Sequence, residues 1–555
     1  MRRPVAIARA ALVAAVALSA LIGVAGQAGA ATPLQINGSG SSWAANAINQ
    51  WVQDVYTAGV QVTFNPDGDS QGRQDFANKV SDFSVTADGY QGFDSTTGVS
   101  DTSNGRSYAY LPVAAGGTSF PYQIKFDGTQ VENLRLSGET LAKIFTNQIT
   151  NWDDPEITKD NNGVQLPSIP IVPVVQSEGS GATQQLTDYF ATEYPSIWQP
   201  FAGQAGPTEY FPRQGDQIAQ NGSTGAMNYI ASSAANGSIG YVEYSYPLSV
   251  GYPVAKVLNS GGYYTLPTQY NVAIALEQAQ INMDPSSPDY LLQTLTNVYS
   301  DPDPRTYPLS SYVYMIEPTG GTNFGTNDPS ETSGKRQSIA DFEYYSICQG
   351  QSQIGAIGYS PLPVNLVEAA FGQVQKLQQA DPNVDLTNLN INTCHEPTFV
   401  PGQPDTNYLT TIAPQPPACD QQGAGPCAAG ITPNGIGATP NSSGSYPGAA
   451  ASAASGKAAA ASGTTPTTGA AAASGANAAA VSAASATAKS SAAAALAAAA
   501  AVAAKPPLES TVLPSHGLTS EGWIVLLVAL AFLAIFAVPV CIGYRRSRRR
   551  REVGP

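Results

Sequence analysis

Residues 177–183 read SEGSGAT, and the architecture predicted for the chain follows from the change from loop to helix within this stretch. A glycine/serine loop, Gly179-Ser180-Gly181, stops here at the start of an amphipathic segment that runs from Ala182 to Tyr194. At a helix start, unpaired backbone N–H groups and the positive end of the helix dipole point outward and favour an anion. A second loop of the same design, residues 38–42 (GSGSS), precedes a helix predicted to begin near Trp43.

Short β-rich runs alternate with helical patterns through the first 400 residues. Residues 59–64, 169–175 and 238–242 are predicted strands, and the apolar residues between Trp43 and Val55 recur at helical spacing. Such alternation favours an α/β architecture with two lobes, given a folded part of this length.

Six local matches, in order along the chain, resemble the phosphate-binding, extracytoplasmic subunit of bacterial phosphate ABC transporters. They are residues 38–43 (GSGSSW), 68–72 (GDSQG) with Asp82-Phe83 and Asp88, 136–145 (LSGETLAKIF) with 149–154 (ITNWDD), 177–183, 237–244 (GSIGYVEY) and 358–363 (GYSPLP). The resemblance implies a two-lobed periplasmic-binding-protein fold, type II-like, that closes on a solute. One lobe would comprise residues 34–113 and 250–400, and the other residues 114–249, within a solute-binding domain of residues 32–400.

The resemblance also implies a set of ligand-binding residues: Ser42, Trp43, Ser70, Asp88, Gln176, Ser180 and Gly181. Gln176 stands where the family carries an arginine that pairs with phosphate, and Ala182 replaces a threonine. Within residues 68–72, Asp69 or Ser70 stands where the family carries a serine. Arg73 and Arg213 are candidates for a compensating cation.

Two functions stay open on these residues. The first is a protein that captures phosphate or a related small oxyanion and delivers it to an ABC permease. The alternative is a surface-displayed structural, adhesion or sensory module with a degenerate anion site or a neutral polar ligand. Tyr90, Tyr122 and Tyr210 are candidates for the wall of its cleft.

Composition excludes several other classes. The net charge of −15 disfavours nucleic acid as a partner. Two histidines, His395 and His516, leave little room for a metal site or a catalytic triad, and both lie outside the resemblance. We therefore expect no enzymatic activity, no metal and no cofactor.

The two ends of the chain predict its location. Residues 1–31 have the charged, apolar and small-residue sections of a signal peptide. Residues 401–512 form a linker rich in Ala, Ser, Gly and Pro, and residues 523–544 are an uncharged apolar run long enough for one transmembrane helix. The arginine-rich tail, residues 545–555, is predicted to be cytoplasmic, with the bulk of the chain outside the cell membrane.

Residues 513–517 (LPSHG) resemble a sortase cell-wall sorting signal in which His516 replaces the usual threonine. Simple anchoring through the membrane helix is therefore the favoured interpretation.

Four cysteines fall in the part of the chain that would be exported, where an oxidising environment favours disulfides. Three pairings are possible among them. Proximity in sequence favours Cys419 with Cys427, which leaves Cys348 with Cys394.

Overall fold

The structure is a computed structural model that describes residues 32–93, 100–321, 328–394, 396–401, 403, 406–427, 431–432 and 435–436. The predicted signal peptide, membrane helix and basic tail lie outside these residues, as does the predicted linker beyond residue 436. Within the described ranges, no helix is both long and apolar enough to cross a membrane.

The described strands form two main sheets and four two-stranded hairpins. They are β1 (Ile36–Gly40), β2 (Val62–Asn65), β3 (Phe83–Thr86), β4 (Gly92–Phe93), β5 (Ser100–Asp101), β6 (Tyr108–Pro121), β7 (Lys125–Phe126), β8 (Thr129–Gln130), β9 (Arg135–Leu136), β10 (Val172–Gln176), β11 (Ile218–Gln220), β12 (Ser238–Gly240), β13 (Val242–Glu243), β14 (Val254–Leu258), β15 (Tyr264–Thr265), β16 (Gln280–Ile281), β17 (Gln293–Thr294), β18 (Ser310–Pro318), β19 (Ile431–Thr432) and β20 (Gly435–Ile436).

The described helices cover the sheets and connect their strands. They are α1 (Ala45–Tyr56), α2 (Asp69–Ala77), α3 (Gly138–Phe145), α4 (Pro155–Asp160), α5 (Gly181–Glu193), α6 (Pro195–Ala202), α7 (Gly222–Ala231), α8 (Ser245–Ser249), α9 (Gln269–Leu276), α10 (Thr296–Tyr299), α11 (Ser333–Ile347), α12 (Gln351–Ile357), α13 (Val364–Ala380) and α14 (Tyr408–Ile412). Two short 3-10 helices follow at Ile391–Thr393 and Ala418–Asp420.

The larger sheet has nine strands in the order β15-β14-β6-β18-β3-β1-β2, with β13 also paired to β6 and β9 to β14. Strand β1 is parallel to β2 and to β3, whereas β18 is antiparallel to β3 and to β6. Because β1 and β3 run in the same direction, their carboxyl ends lie at one edge of the sheet. The segments that begin at Ser41 and at Ala87 therefore leave the sheet side by side.

The smaller sheet consists of β11, β10 and β12, all parallel. The carboxyl ends of β10 and β11 share an edge, so the loop after Gln176 and the loop after Gln220 are neighbours. All three strands fall within residues 114–249, the segment predicted as the second lobe, whereas the larger sheet takes strands from both predicted lobes. The predicted lobe boundaries stay a prediction.

The predicted α/β architecture is confirmed, with shifts at its element boundaries. The three predicted strands correspond to β2, β10 and the pair β12 and β13. Two predicted loops were wrong in extent. In the loop of residues 38–42, Gly38 to Gly40 belong to β1, and the helix expected near Trp43 begins at Ala45. The loop of residues 68–72 is already helical from Asp69. Gly68 has a φ of 108°, which lets the chain turn directly into α2 where a side chain would be strained.

Both predicted disulfides are present, Cys348–Cys394 and Cys419–Cys427. The second disulfide closes residues 419–427, which we call the C-terminal loop. The buried Arg135 donates to the carbonyl oxygens of Cys419 (3.2 Å) and Ala424 (2.7 Å) in this loop. Lys256 pairs with Asp420 at 2.6 Å. Packing against the larger sheet thus continues beyond residue 400, where the linker is predicted to begin.

Candidate functional site

The start of α5 is built by a short hydrogen-bond chain that begins in β10. The Ser180 hydroxyl caps the helix by accepting from the Ala182 N–H at 3.2 Å, and it donates to the side-chain oxygen of Gln176. Gln176 is held in turn by Tyr241, whose hydroxyl accepts from the Gln176 N–H at 3.1 Å. Ser180 and Gln176 are both buried. The neutral amide of Gln176 therefore fixes the Ser180 hydroxyl at the end of the strand and brings no positive charge.

Two contacts bring the edge of the larger sheet against the loops of the smaller sheet. The Ser70 N–H, at the start of α2, donates to the carbonyl oxygen of Gly179 at 3.2 Å. The Ser42 hydroxyl accepts from the Ser223 N–H, in the first turn of α7, at 3.1 Å. Residues 38–42 and 68–72 thus both contact the loops of the smaller sheet, as expected if they surround one ligand. The Ser70 hydroxyl is also 2.9 Å from the hydroxyl of Tyr210, so Tyr210 lies at the site.

The side chain of Trp43 lies in the core and not in a cleft. Its side chain is 1% exposed, its indole N–H donates to Thr118 at 3.1 Å, and its ring meets the edge of Tyr359 at 5.7 Å between centroids. The Tyr359 hydroxyl donates to the Trp43 carbonyl at 2.7 Å. The Trp43 ring therefore belongs to the core, and only its backbone N–H stays a candidate ligand contact.

Asp69 is the residue whose position the sequence could not give. Its side chain is 1% exposed, and its carboxylate accepts from the Ala87 N–H at 2.7 Å. A Cβ atom added at Gly181 would lie 2.6 Å from Oδ1 of Asp69, so the carboxylate is packed against the first residue of α5. Burial raises the pKa of Asp69, while the amides of Gly181 and Ala87 lower it by stabilising the charged form. A carboxylate of the chain thus already stands at the amide expected to bind an anion.

Arg73 cannot serve as the compensating cation, because its guanidinium is committed to the chain's own acids. It is fully buried and donates to Asp101 at 2.8 Å, to both oxygens of Glu209 at 2.8 and 2.6 Å, and to the Thr86 hydroxyl at 3.0 Å. Arg213, the other candidate, is exposed.

Asp88 lies beside this buried acidic group. Burial raises the pKa of Asp88 well above its usual value, and the carboxylates of Glu209 and Asp69 raise it further. Its Oδ2 has no hydrogen-bond partner among the described residues. An acid in this state holds a proton readily, or accepts one from a ligand that can donate it.

The carboxylate of Glu178, a residue that sequence reasoning did not single out, lies at the start of α7. Both of its carboxylate oxygens accept from the Gly222 N–H, at 3.0 Å each. Burial raises the pKa of Glu178. Its place directly before the Gly-Ser-Gly loop was the available signal, because an acid at that point can reach a neighbouring helix start.

Of the seven predicted ligand residues, the structure places six around these contacts: Ser42, Ser70, Asp88, Gln176, Ser180 and Gly181. Trp43 contributes at most its backbone. The hydroxyl of Ser180 bonds to an amide and not to a base, an arrangement that supplies no activated nucleophile.

A family model described as a PBP superfamily domain matches residues 25–347. Phosphate-binding protein PstS of Xylella fastidiosa (strain 9a5c) is 26% identical over 336 residues, which cover 60% of this chain and 83% of that protein. Phosphate-binding protein PstS 2 of Mycobacterium tuberculosis (strain ATCC 25618 / H37Rv) is 28% identical over 335 residues, 59% of this chain and 83% of that protein. Both relatives bear the names of binding proteins, in agreement with a chain that is not an enzyme.

Among solved structures, a high affinity periplasmic phosphate-binding protein (PfluDING) bound with phosphate is 19% identical. The match covers 61% of this chain and 93% of that chain, with a TM-score of 0.46.

Proposed function

The chain belongs to the PBP superfamily, and from this premise we propose that it is an extracytoplasmic solute-binding protein for phosphate or a related small oxyanion. The ligand would bind where the glycine/serine segments of the larger sheet meet the loops of the smaller sheet. The two named relatives are phosphate-binding proteins, which supports phosphate as the first ligand to test. Delivery to an ABC permease, and tethering by the apolar segment 523–544, complete the proposal.

One observation carries the proposal: the start of α2 contacts the loop before α5, and the loop before α1 contacts the start of α7. Ser70 reaches Gly179, and Ser42 reaches Ser223, although each pair is more than 100 residues apart in sequence. Oriented amides and hydroxyls from several helix starts bind an oxyanion without needing a full positive charge.

Each predicted residue has a role in this arrangement. The hydroxyls of Ser42 and Ser70 would donate to ligand oxygens, and so would the amides of Trp43 and Gly181. On binding, the Ser180 hydroxyl would turn its one hydrogen from Gln176 to a ligand oxygen. Gln176 would orient Ser180. Asp88, with an unpartnered oxygen, would accept a hydrogen from a protonated ligand.

A second function has its own supporting observation. The carboxylates of Asp69 and Glu178 already stand at the amides of Gly181 and Gly222, so the helix starts have anionic partners from within the chain. A structural or sensory module with a degenerate anion site would have this property.

Calorimetric titration of the full-length protein with inorganic phosphate, and separately with sulfate, distinguishes the two functions. The oxyanion-binding function predicts saturable phosphate binding with a dissociation constant in the micromolar range or below. Absence of heat with phosphate at millimolar concentration, in protein whose unfolding transition is intact, would favour the second function.

The variant Ser180→Ala tests the site itself. A hydrogen bond to a charged group contributes about 1.5–3 kcal/mol, so phosphate affinity should fall by about 10- to 150-fold. Ser137→Ala is the matched control, because Ser137 caps α3 in the same way and accepts from the Thr140 N–H at 3.2 Å. Both variants should lose about 1 kcal/mol of stability, and only Ser180→Ala should lose affinity.

A further inference from the structure

Asp69 occupies a position that an anionic ligand would need. The Ala87 N–H donates to its carboxylate at 2.7 Å, and Oδ1 lies 2.6 Å from the place where a Cβ of Gly181 would stand. The side chain is 1% exposed, so bulk water supplies little of its solvation. The amides of Gly181 and Ala87 and the nearby charge of Arg73 stabilise the carboxylate in place of that water.

The surroundings of Asp69 are unfavourable for a second negative charge. Arg73 faces it but is already bonded to Asp101 and to both oxygens of Glu209. Three further carboxylates, those of Asp88, Glu178 and Glu209, interact electrostatically with Asp69. An oxyanion that arrives while Asp69 is charged must therefore compete for the same amides and also meet its repulsion.

We propose that Asp69 acts as a built-in anion that competes with the oxyanion ligand for the amides of Gly181 and Ala87. This inference rests on the proposed function and deepens it. Binding then requires that the Asp69 carboxylate be protonated or move away from Gly181.

The inference has a consequence for pH dependence. Burial holds the pKa of Asp69 above its usual value, so the neutral form is accessible at a higher pH than for an exposed aspartate. Because ligand binding favours the neutral form, phosphate affinity should increase as the pH falls towards that pKa. Phosphate itself also changes its protonation state with pH, so the informative quantity is the difference between the wild type and a variant that lacks the Asp69 charge.

The test is titration of the full-length protein with inorganic phosphate at pH 5.5 and pH 8, for the wild type and for Asp69→Asn. Asparagine keeps the shape and can still accept from Ala87, but it carries no charge. We expect Asp69→Asn to bind phosphate at least tenfold more tightly than the wild type at pH 8, with a smaller gain at pH 5.5. Asp75→Asn is the matched control, because Asp75 is an acid of the same helix whose side chain accepts from Gln71 at the surface. It should change affinity by less than twofold.

The outcomes separate the inference from the function on which it rests. Phosphate binding by the wild type that is equal or weaker in Asp69→Asn would overturn the inference and leave the proposed function standing. No phosphate binding by any variant would overturn both. Binding by Asp69→Asn but not by the wild type would support the inference. If Asp69→Asn does not show a cooperative unfolding transition, Asp69→Ser answers the same question, and the same gain in affinity is expected of it.

Discussion

Replacing Arg73 by methionine should destabilise the fold strongly, because the guanidinium is the shared cation of a buried acidic group. Methionine keeps much of the side-chain volume but removes four hydrogen bonds of 2.6–3.0 Å to Asp101, Glu209 and Thr86. Removing one partner of a buried ion pair costs about 3–5 kcal/mol, since the other charge is left without compensation. We expect a loss of this size in the free energy of unfolding at pH 8.

The loss should depend on pH in a defined direction. Burial raises the pKa of Glu209, and Arg73 lowers it. Without Arg73 the pKa rises further. A carboxyl group with a raised pKa in the folded state contributes its stability below its unfolded pKa and loses it as the pH rises through the folded pKa. The deficit of Arg73→Met relative to the wild type should therefore be smaller at pH 5 than at pH 8.

Urea unfolding, followed by tryptophan fluorescence at both pH values, measures these differences. Arg213→Met is the control, because Arg213 is exposed in a nearby segment, and it should change stability by less than about 0.5 kcal/mol. A loss below about 1 kcal/mol for Arg73→Met at pH 8 would refute the reasoning, as would a deficit that grows on acidification.

Three further predictions concern the site, the second disulfide and a buried acid pair. Gln176→Arg should strengthen phosphate binding at least tenfold in a calorimetric titration; no change would mean that residue 176 does not act on the ligand. Cys419→Ser, which removes the bond to Cys427, should lower stability by about 2 kcal/mol in thermal unfolding, and an unchanged melting temperature would contradict this. Glu343→Gln should flatten the decline in wild-type stability between pH 5 and pH 8, seen in urea midpoints. The reason is that burial raises the pKa of Glu317 to about 8 and raises the pKa of its neighbour Glu343 well above its usual value; equal declines in both proteins would count against it.

Local patterns in the sequence were sufficient for much of the fold. The start of α5 was predicted within one residue, because Gly-Ser-Gly before an amphipathic run is a local signal that tertiary contacts seldom override. The two disulfides were also predictable, since the proximity of Cys419 and Cys427 favours their pairing and leaves Cys348 with Cys394. The shift at the first loop has a physical cause: β1 continues to Gly40 because its pairing with β3 extends that far.

The electrostatics of the site depend on contacts that no local pattern records. Arg73 and Glu209 are 136 positions apart, so their ion pair could not be read from spacing. The sequence could place Asp69 next to Ser70, but only the backbone turn at Gly68 determines that the acid, and not the serine, is packed against Gly181. The position of the Trp43 ring could not be read from the sequence for a similar reason, because its partners Thr118 and Tyr359 come from distant segments.

The disulfide of the C-terminal loop determines how a pulling force on the residues after it reaches the folded domain. Tension applied to the chain beyond Cys427 passes through the disulfide to Cys419, because the covalent crosslink is the shorter path. Residues 420–426 are thereby shielded from the load, and with them the Lys256–Asp420 pair and the bond from Arg135 to Ala424. A pull on the C-terminal side would reach the binding domain without first stretching these contacts.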